Sequence, residues 1–224
     1  MMDENKNLNI CVLVSGNGTN LQALIDSCKL DDYPAKISLV VSDNLNAFAL
    51  KRADESNVKT KVYDFKDENN YNKLADELKI QEIDLICCAG FMRIIPDYFV
   101  KEFAGKIINI HPSLLPSFPG LNAQKKALES GARISGCTVH FVDEGVDTGP
   151  IIMQASVPIL PNDNQDILSK RILEFEHQIY PMVVKLIAKR LVLYRDGKTH
   201  YNYQLNSVPD GFLSPSIEAE FYSK

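Results

Sequence analysis

"NICVLVSGNGTNLQALID" (residues 9–26) passes from an apolar, β-branched run through a polar turn with two glycines into a segment where Leu21, Leu24, Ile25 and then Cys28 recur at helical spacing. A strand, a tight turn and an amphipathic helix in that order open an α/β fold. Four more short apolar runs follow at "KISLVVSD" (36–43), "KTKVYDF" (59–65), "IDLICCAG" (83–90) and "KIINIH" (106–111), with a second helical face at Tyr71, Leu74, Ala75 and Leu78. Several of these runs are apolar almost throughout, as strands covered on both faces are. The alternation predicts a mostly parallel, doubly wound sheet with ligands at the carboxyl ends of its strands.

Past residue 130 the period changes. "SGCTVHFV" (135–142) and "PIIMQASVPI" (150–159) alternate in twos, the mark of longer, partly antiparallel strands. A long helix is expected from about 164 to 191, with Leu168, Ile172, Phe175, Ile179, Val183 and Leu186 as its apolar stripe and Pro181 as the site of a kink. "LVLYRDGKTHYNY" reads as a hairpin turning at Asp196-Gly197. With no repeat or linker, the expectation is one domain over 1–224 with an antiparallel C-terminal part, residues 1–7 and 204–224 being loosely ordered ends.

The chain has 224 residues, 45% apolar and 24% charged, a globular composition. A formal net charge of −5 argues against a non-specific nucleic-acid binder, which needs a basic face. Cys11, Cys28, Cys87, Cys88 and Cys137 form no CxxC pair and lie mostly in apolar runs, so they read as reduced, buried thiols. The polar start "MMDENKNLN" has no signal-peptide core, and no run approaches the ~20 apolar residues of a membrane span. The expectation is a cytoplasmic protein without nucleic-acid or membrane partners.

Three places could carry chemistry. In "SGNGTN" (15–20), Gly16 and Gly18 permit a tight turn into a helix N-terminus, whose N–H groups and dipole suit a phosphate; the alternative is a plain turn with a good cap. Leu21 stands where a dinucleotide fingerprint needs its third glycine. In "NIHPSLLPSFPG" (109–120), Asn109 and His111 share one strand face ahead of a loop stiffened by three prolines. A lone histidine is more often structural, but a paired amide and a rigid loop set this one apart, since an amide can donate to an oxyanion and an imidazole titrates near neutrality. "VDEGVDTGPII" (142–152) brings Asp143, Glu144 and Asp147 into one loop, without calcium-loop spacing or a His–Cys set for a metal. A carboxylate beside His111 is expected to raise its pKa. Glu176 and His177, mid-helix, read as surface decoration unless that helix borders the first loop.

Taken together and in this order, "VLVSGNGTNLQALID", "AGFMRIIP", "INIHPSLLPSFPG" and "GCTVHFVDEGVDTGPII" resemble the glycinamide ribonucleotide formyltransferases, folate-dependent enzymes of purine synthesis, over about residues 8–203. The resemblance implies a Rossmann-like formyltransferase fold and transfer of a formyl group from 10-formyltetrahydrofolate to 5′-phosphoribosylglycinamide, without a metal. It also implies roles. Asn17, Gly18, Thr19 and Asn20 match the phosphate loop, Asn109, His111 and Asp147 the catalytic trio, and Glu176 the acid that contacts the ribose. Met92, Arg93, Ile94 and Ile95, with Asn109, match the folate-binding segment, and Asp143, Glu144, Gly145, Val146 and Asp147 the loop over its pterin ring. The proline loop then serves to hold His111 rigid, and a protonated His111 and the Asn109 amide stabilise the oxyanion while Asp147 keeps His111 cationic.

One departure is visible. Where some relatives carry an arginine aligned with the folate's glutamate tail, this chain reads "FKDENNY" (65–71), with Glu68 there and Lys66 as the nearby cation. Methionyl-tRNA formyltransferases and formyltetrahydrofolate deformylases share the fold but carry an extra domain, and "PGLNAQKKAL" (119–128) is more like the glycinamide enzyme. From another class, a nicotinamide oxidoreductase would use Asp43 on a ribose. The sequence leaves a homodimer open.

Overall fold

Six of the seven residues of β1 (Leu8–Val14) are buried, as an apolar run covered on both faces requires. After it come α1 (Thr19–Cys28), β2 (Ala35–Ser42), α2 (Phe48–Glu55), β3 (Thr60–Val62), α3 (Asn69–Ile80), β4 (Leu85–Cys88), α4 (Asp97–Glu102) and β5 (Ile107–His111). These, β5 only as far as Asn109, belong to the first of two compact units. The computed structural model describes residues 7–202 and, by backbone alone, Leu213–Ser214.

All pairings in the first unit are parallel, in the order β5-β4-β1-β2-β3. The order reverses between β1 and β4, so the loops leaving their carboxyl ends meet: Ser15 N–H donates to Gly90 O (3.2 Å) and Met92 N–H to Ser15 Oγ (2.9 Å). That is where open α/β sheets place ligands. The expected helix faces are buried, Leu21, Leu24 and Ile25 on α1 and Tyr71, Leu74, Ala75 and Leu78 on α3. The run at 59–65 is shorter than expected, since β3 is a three-residue edge strand and Phe65 instead packs on Tyr71 with ring centroids 4.4 Å apart.

The second unit continues with α5 (Ala123–Glu129), antiparallel β6 (Ile134–Phe141) and β7 (Ile151–Pro158), then α6 (Gln165–Ala188), β8 (Val192–Arg195) and β9 (Lys198–Tyr201). β10 (Leu213–Ser214) pairs antiparallel with β7; the rest of the expected loose ends, apart from Asn7, lies outside the described residues. Asn164 caps α6, its Oδ1 accepting from Ile167 N–H at 2.9 Å. The helix ends before the expected 191 because Arg190 turns left-handed (φ 56°) and Leu191 N–H closes on Leu186 O. It runs on past Pro181. β8 and β9 form the expected hairpin, with Asp196 (φ 50°) and Gly197 (φ 71°) supplying the paired positive φ of a tight turn.

Candidate functional site

His111 closes β5 and is 5% exposed. Its Nδ1 lies 3.1 Å from Asp147 Oδ2, and its Nε2 lies 2.9 Å from the Phe118 carbonyl oxygen. Both partners accept hydrogen bonds, so both favour the imidazolium. Burial outweighs them and holds the His111 pKa below the ordinary imidazole value, aided by the neighbouring His140 and Lys126. Asp147 does pull the His111 pKa upward as expected, but the cost of burying the cation is larger, so the net shift is opposite to the expected cationic His111.

Asp147 stands in the left-handed region (φ 55°) on the loop between β6 and β7. Burial pushes its carboxyl up, but the His140 side chain, the Gly120 N–H (2.8 Å to Oδ2) and His111 overcome that and hold it down at about 2. His140 Nε2 lies 3.6 Å from the other oxygen, Oδ1, and its Nδ1 lies 2.8 Å from the Phe141 carbonyl. The carboxylate thus sits between two buried imidazoles and is ionised at any ordinary pH.

The proline loop is tied by hydrogen bonds to β6 and β7 and within itself. Thr138, fully buried on β6, donates from Oγ1 to Ser113 O (2.7 Å) and accepts from Leu115 N–H (3.0 Å) and Gln154 Nε2 (3.0 Å). Gln154 on β7 also donates to Leu115 O (2.9 Å). Ser113 Oγ donates to Ser117 O (2.6 Å), and Phe118, in a left-handed conformation uncommon for an aromatic residue (φ 57°), turns its carbonyl toward His111. The side chain of Asp143 ties its own loop, Oδ1 accepting from Gly145 N–H (3.1 Å) and Thr148 Oγ1 (2.7 Å); Glu144, Gly145 and Val146 are exposed. Among the described residues no cluster of three or more His, Cys, Asp or Glu has the arrangement of a metal site. Glu176, read as surface decoration, is 7% exposed on the inner face of α6, where Phe175 is only half-buried.

In the first unit, Asn17–Asn20 lead into α1. The side-chain cap of the alternative reading is absent: Gly18 takes the cap position with φ 73° and makes no side-chain cap bond. Gly18 is required by its neighbour as well as by its φ, since a Cβ there would stand 2.5 Å from Ala49 Cβ; at Gly16 nothing lies within 4 Å. Met92 and Ile94 are exposed in the β4–α4 loop, whose Ile94 carbonyl accepts from Tyr71 Oη (3.1 Å). Arg93 Nε pairs with Asp43 at 2.6 Å, and that carboxylate is 6% exposed, so it is occupied by Arg93 and not presented to a ribose. Lys66 and Glu68 are both exposed.

Sequence reasoning missed His140 and Arg52. His140 had a legible signal, since it alternates with Thr138 on a strand whose other face, Cys137, Val139 and Phe141, is core. Arg52 had none, because α2 was not anticipated.

Residues 8–184 match the formyl transferase family model. The chain is 45% identical over 199 residues to a phosphoribosylglycinamide formyltransferase of Haemophilus influenzae, covering 84% of this chain and 94% of that protein. It is 47% identical over 190 residues to a trifunctional purine biosynthetic protein of Drosophila melanogaster, of whose length it spans 14%. Its fold is similar to the crystal structure of glycinamide ribonucleotide transformylase 1 from Symbiobacterium toebii, with a TM-score of 0.84 and 42% identity over 87% of this chain and 94% of that one.

Proposed function

The chain belongs to the phosphoribosylglycinamide formyltransferase family, and on that premise we propose that it moves the formyl group of 10-formyltetrahydrofolate to the amine of 5′-phosphoribosylglycinamide. The observation that carries the reading is the buried His111–Asp147 pair, closed at 3.1 Å in the motif that the resemblance assigns to catalysis. In this reading Asn17, Gly18, Thr19 and Asn20 hold the ribonucleotide phosphate and Glu176 its ribose. Met92–Ile95 and Asp143–Asp147 hold the folate.

The substrate amine attacks the formyl carbon, and the carbonyl electron pair moves onto oxygen, where the Asn109 amide donates to it. With burial holding its pKa below the ordinary imidazole value, His111 in this reading is the base that takes the amine proton, at the nitrogen that leaves the Phe118 carbonyl. Asp147, ionised, stabilises the imidazolium that results. Collapse of the oxyanion breaks the bond to N10 of the folate, and the proton passes to that nitrogen. The folate leaves as tetrahydrofolate and the amine as its formyl amide. This role differs from the sequence expectation of a resting imidazolium, and burial of the ring is the reason.

The test is deformylation of 10-formyl-5,8-dideazafolate followed by absorbance, with and without phosphoribosylglycinamide. Turnover is expected with the amine present. Equal turnover without it identifies a hydrolase and overturns the proposal.

A further inference from the structure

Three successive residues of the turn before α1 are each gripped by α2. Ala49 N–H donates to Gly16 O at 3.0 Å. The Arg52 guanidinium takes Asn17 twice, Nε to the backbone carbonyl at 2.9 Å and an outer nitrogen to Oδ1 at 3.4 Å. Ala49 packs against Gly18 so closely that a Cβ on Gly18 would come within 2.8 Å of the Ala49 Cα. From its other outer nitrogen Arg52 also donates to Gln22 Oε1 (3.2 Å), one turn into α1, and Gln22 in turn donates to Asp26 Oδ1 (2.9 Å). The fork is held in its pose by the Phe48 ring, 4.9 Å away. A planar guanidinium spanning a backbone carbonyl, a side-chain amide and the next helix fixes geometry in a way a lysine ammonium cannot.

The gripped turn is shaped for an anion. No side chain caps α1 and its first turn carries no acidic residue, so the helix N-terminus keeps its positive potential. We propose that Arg52 is a positioning residue for the ribonucleotide, holding Asn17 and the Gly16–Gly18 turn in the conformation that receives the phosphate without itself touching it. This rests on the reading of Asn17–Asn20 as the phosphate loop. Its consequence is specific: the contribution lies in binding of one substrate and comes from the shape of the fork as well as from its charge.

The experiment compares wild type with Arg52→Lys and Arg52→Gln, measuring KM for phosphoribosylglycinamide and for 10-formyl-5,8-dideazafolate, kcat, and the thermal midpoint. Amide NMR titration with phosphoribosylglycinamide follows Gly16–Asn20 in all three. Loss of charged hydrogen bonds at this site predicts a KM for the ribonucleotide raised by about tenfold in Arg52→Gln and raised to a lesser degree in Arg52→Lys, which keeps the charge without the fork. The folate KM is expected unchanged and kcat within about twofold, as for lost uniform binding, while the thermal midpoint checks that each variant is folded at the assay temperature. Full rescue by Arg52→Lys assigns the effect to charge alone and overturns the positioning role, as does an equal rise in both KM values. If the wild-type Gly16–Asn20 amides do not respond to the ribonucleotide, the phosphate-loop reading falls and this inference with it. If they respond and Arg52→Gln keeps the wild-type KM, the inference alone falls.

Discussion

The two units carry their candidate chemistry in opposite forms. In the first, the turn at 15–20 offers backbone: a helix start without a cap, a glycine at φ 73°, and a second helix packed so closely that no side chain fits between them. In the second, the Asp147 carboxylate lies between the His111 and His140 imidazoles, each held by an acceptor or donor within the same unit. A backbone site tolerates changes in the identity of its side chains and fails on added bulk. A buried charge site tolerates little change of charge and depends on the hydrogen bonds that orient it. Substitutions can separate the two.

The largest effect is expected at the centre of the second region. Asp147→Asn keeps the shape and removes the charge that stabilises the imidazolium. Turnover at saturation should fall by about 10²–10⁴-fold, roughly 3–5 kcal/mol, with little change in KM for either substrate. A carboxylate that only shaped its loop would instead weaken folate binding and leave kcat near normal, so saturation kinetics on the variant decide the matter.

The first region should break through packing. Gly18→Ala puts a methyl 2.5 Å from Ala49 Cβ at a φ of 73°, and the thermal unfolding free energy should drop by roughly 2–4 kcal/mol. Gly16→Ala meets nothing within 4 Å and should stay within about 0.5 kcal/mol of wild type. Equal losses in the two variants would show that the turn, and not the approach of α2, sets the requirement for glycine. Ligand affinity in a Gly18 variant therefore reports on α2 as much as on a phosphate.

Between them in kind lies Thr138→Val, an isosteric change in the second unit that leaves Ser113 O, Leu115 N–H and Gln154 without their hydroxyl partner. Denaturant unfolding should show a loss of about 1–3 kcal/mol. A neutral result would return the stiffness of the loop to its prolines.

How much of this was legible depended on whether a feature was local. The parallel strands of the first unit and the antiparallel pair of the second were readable because periodicity reports burial, and the Asp196-Gly197 turn because two adjacent positive φ values demand that chemistry. α2, α4 and α5 were missed: all three are short, and "FALKRADE" shows too few apolar positions to stand out. His111 and Asp147 were visible as candidates, yet the direction of the His111 shift was not. It depends on how far burial outweighs a neighbouring carboxylate, a three-dimensional quantity that motif spacing does not contain. Glu176 failed in the same way, because one helical position separates a buried face from a half-buried one, and the stripe placed Phe175 there.

The smallest expected effect moves a midpoint and not a plateau, and it tests that correction directly. If neutral His111 is the base, activity falls on the acid side as the imidazole gains its proton. Burial lowers its pKa, so the acid limb of kcat in the wild type should lie below the ordinary imidazole value of ~6.5. Asp147 cannot produce that limb, because its carboxyl is held at about 2 and stays ionised throughout. In Asp147→Asn an upward influence on His111 is lost, so the residual activity should show a limb shifted to still lower pH; in Thr138→Val the limb should stay in place. Stability carries the same sign: the unfolded chain takes a proton near ~6.5 and folded His111 resists it, so stability present above that pH is lost as pH falls toward the folded value. A pH–rate profile together with NMR titration of the His111 ring measures both. An acid limb at or above the ordinary imidazole value, or one that rises in Asp147→Asn, would restore the imidazolium as the resting form and remove His111 as the base.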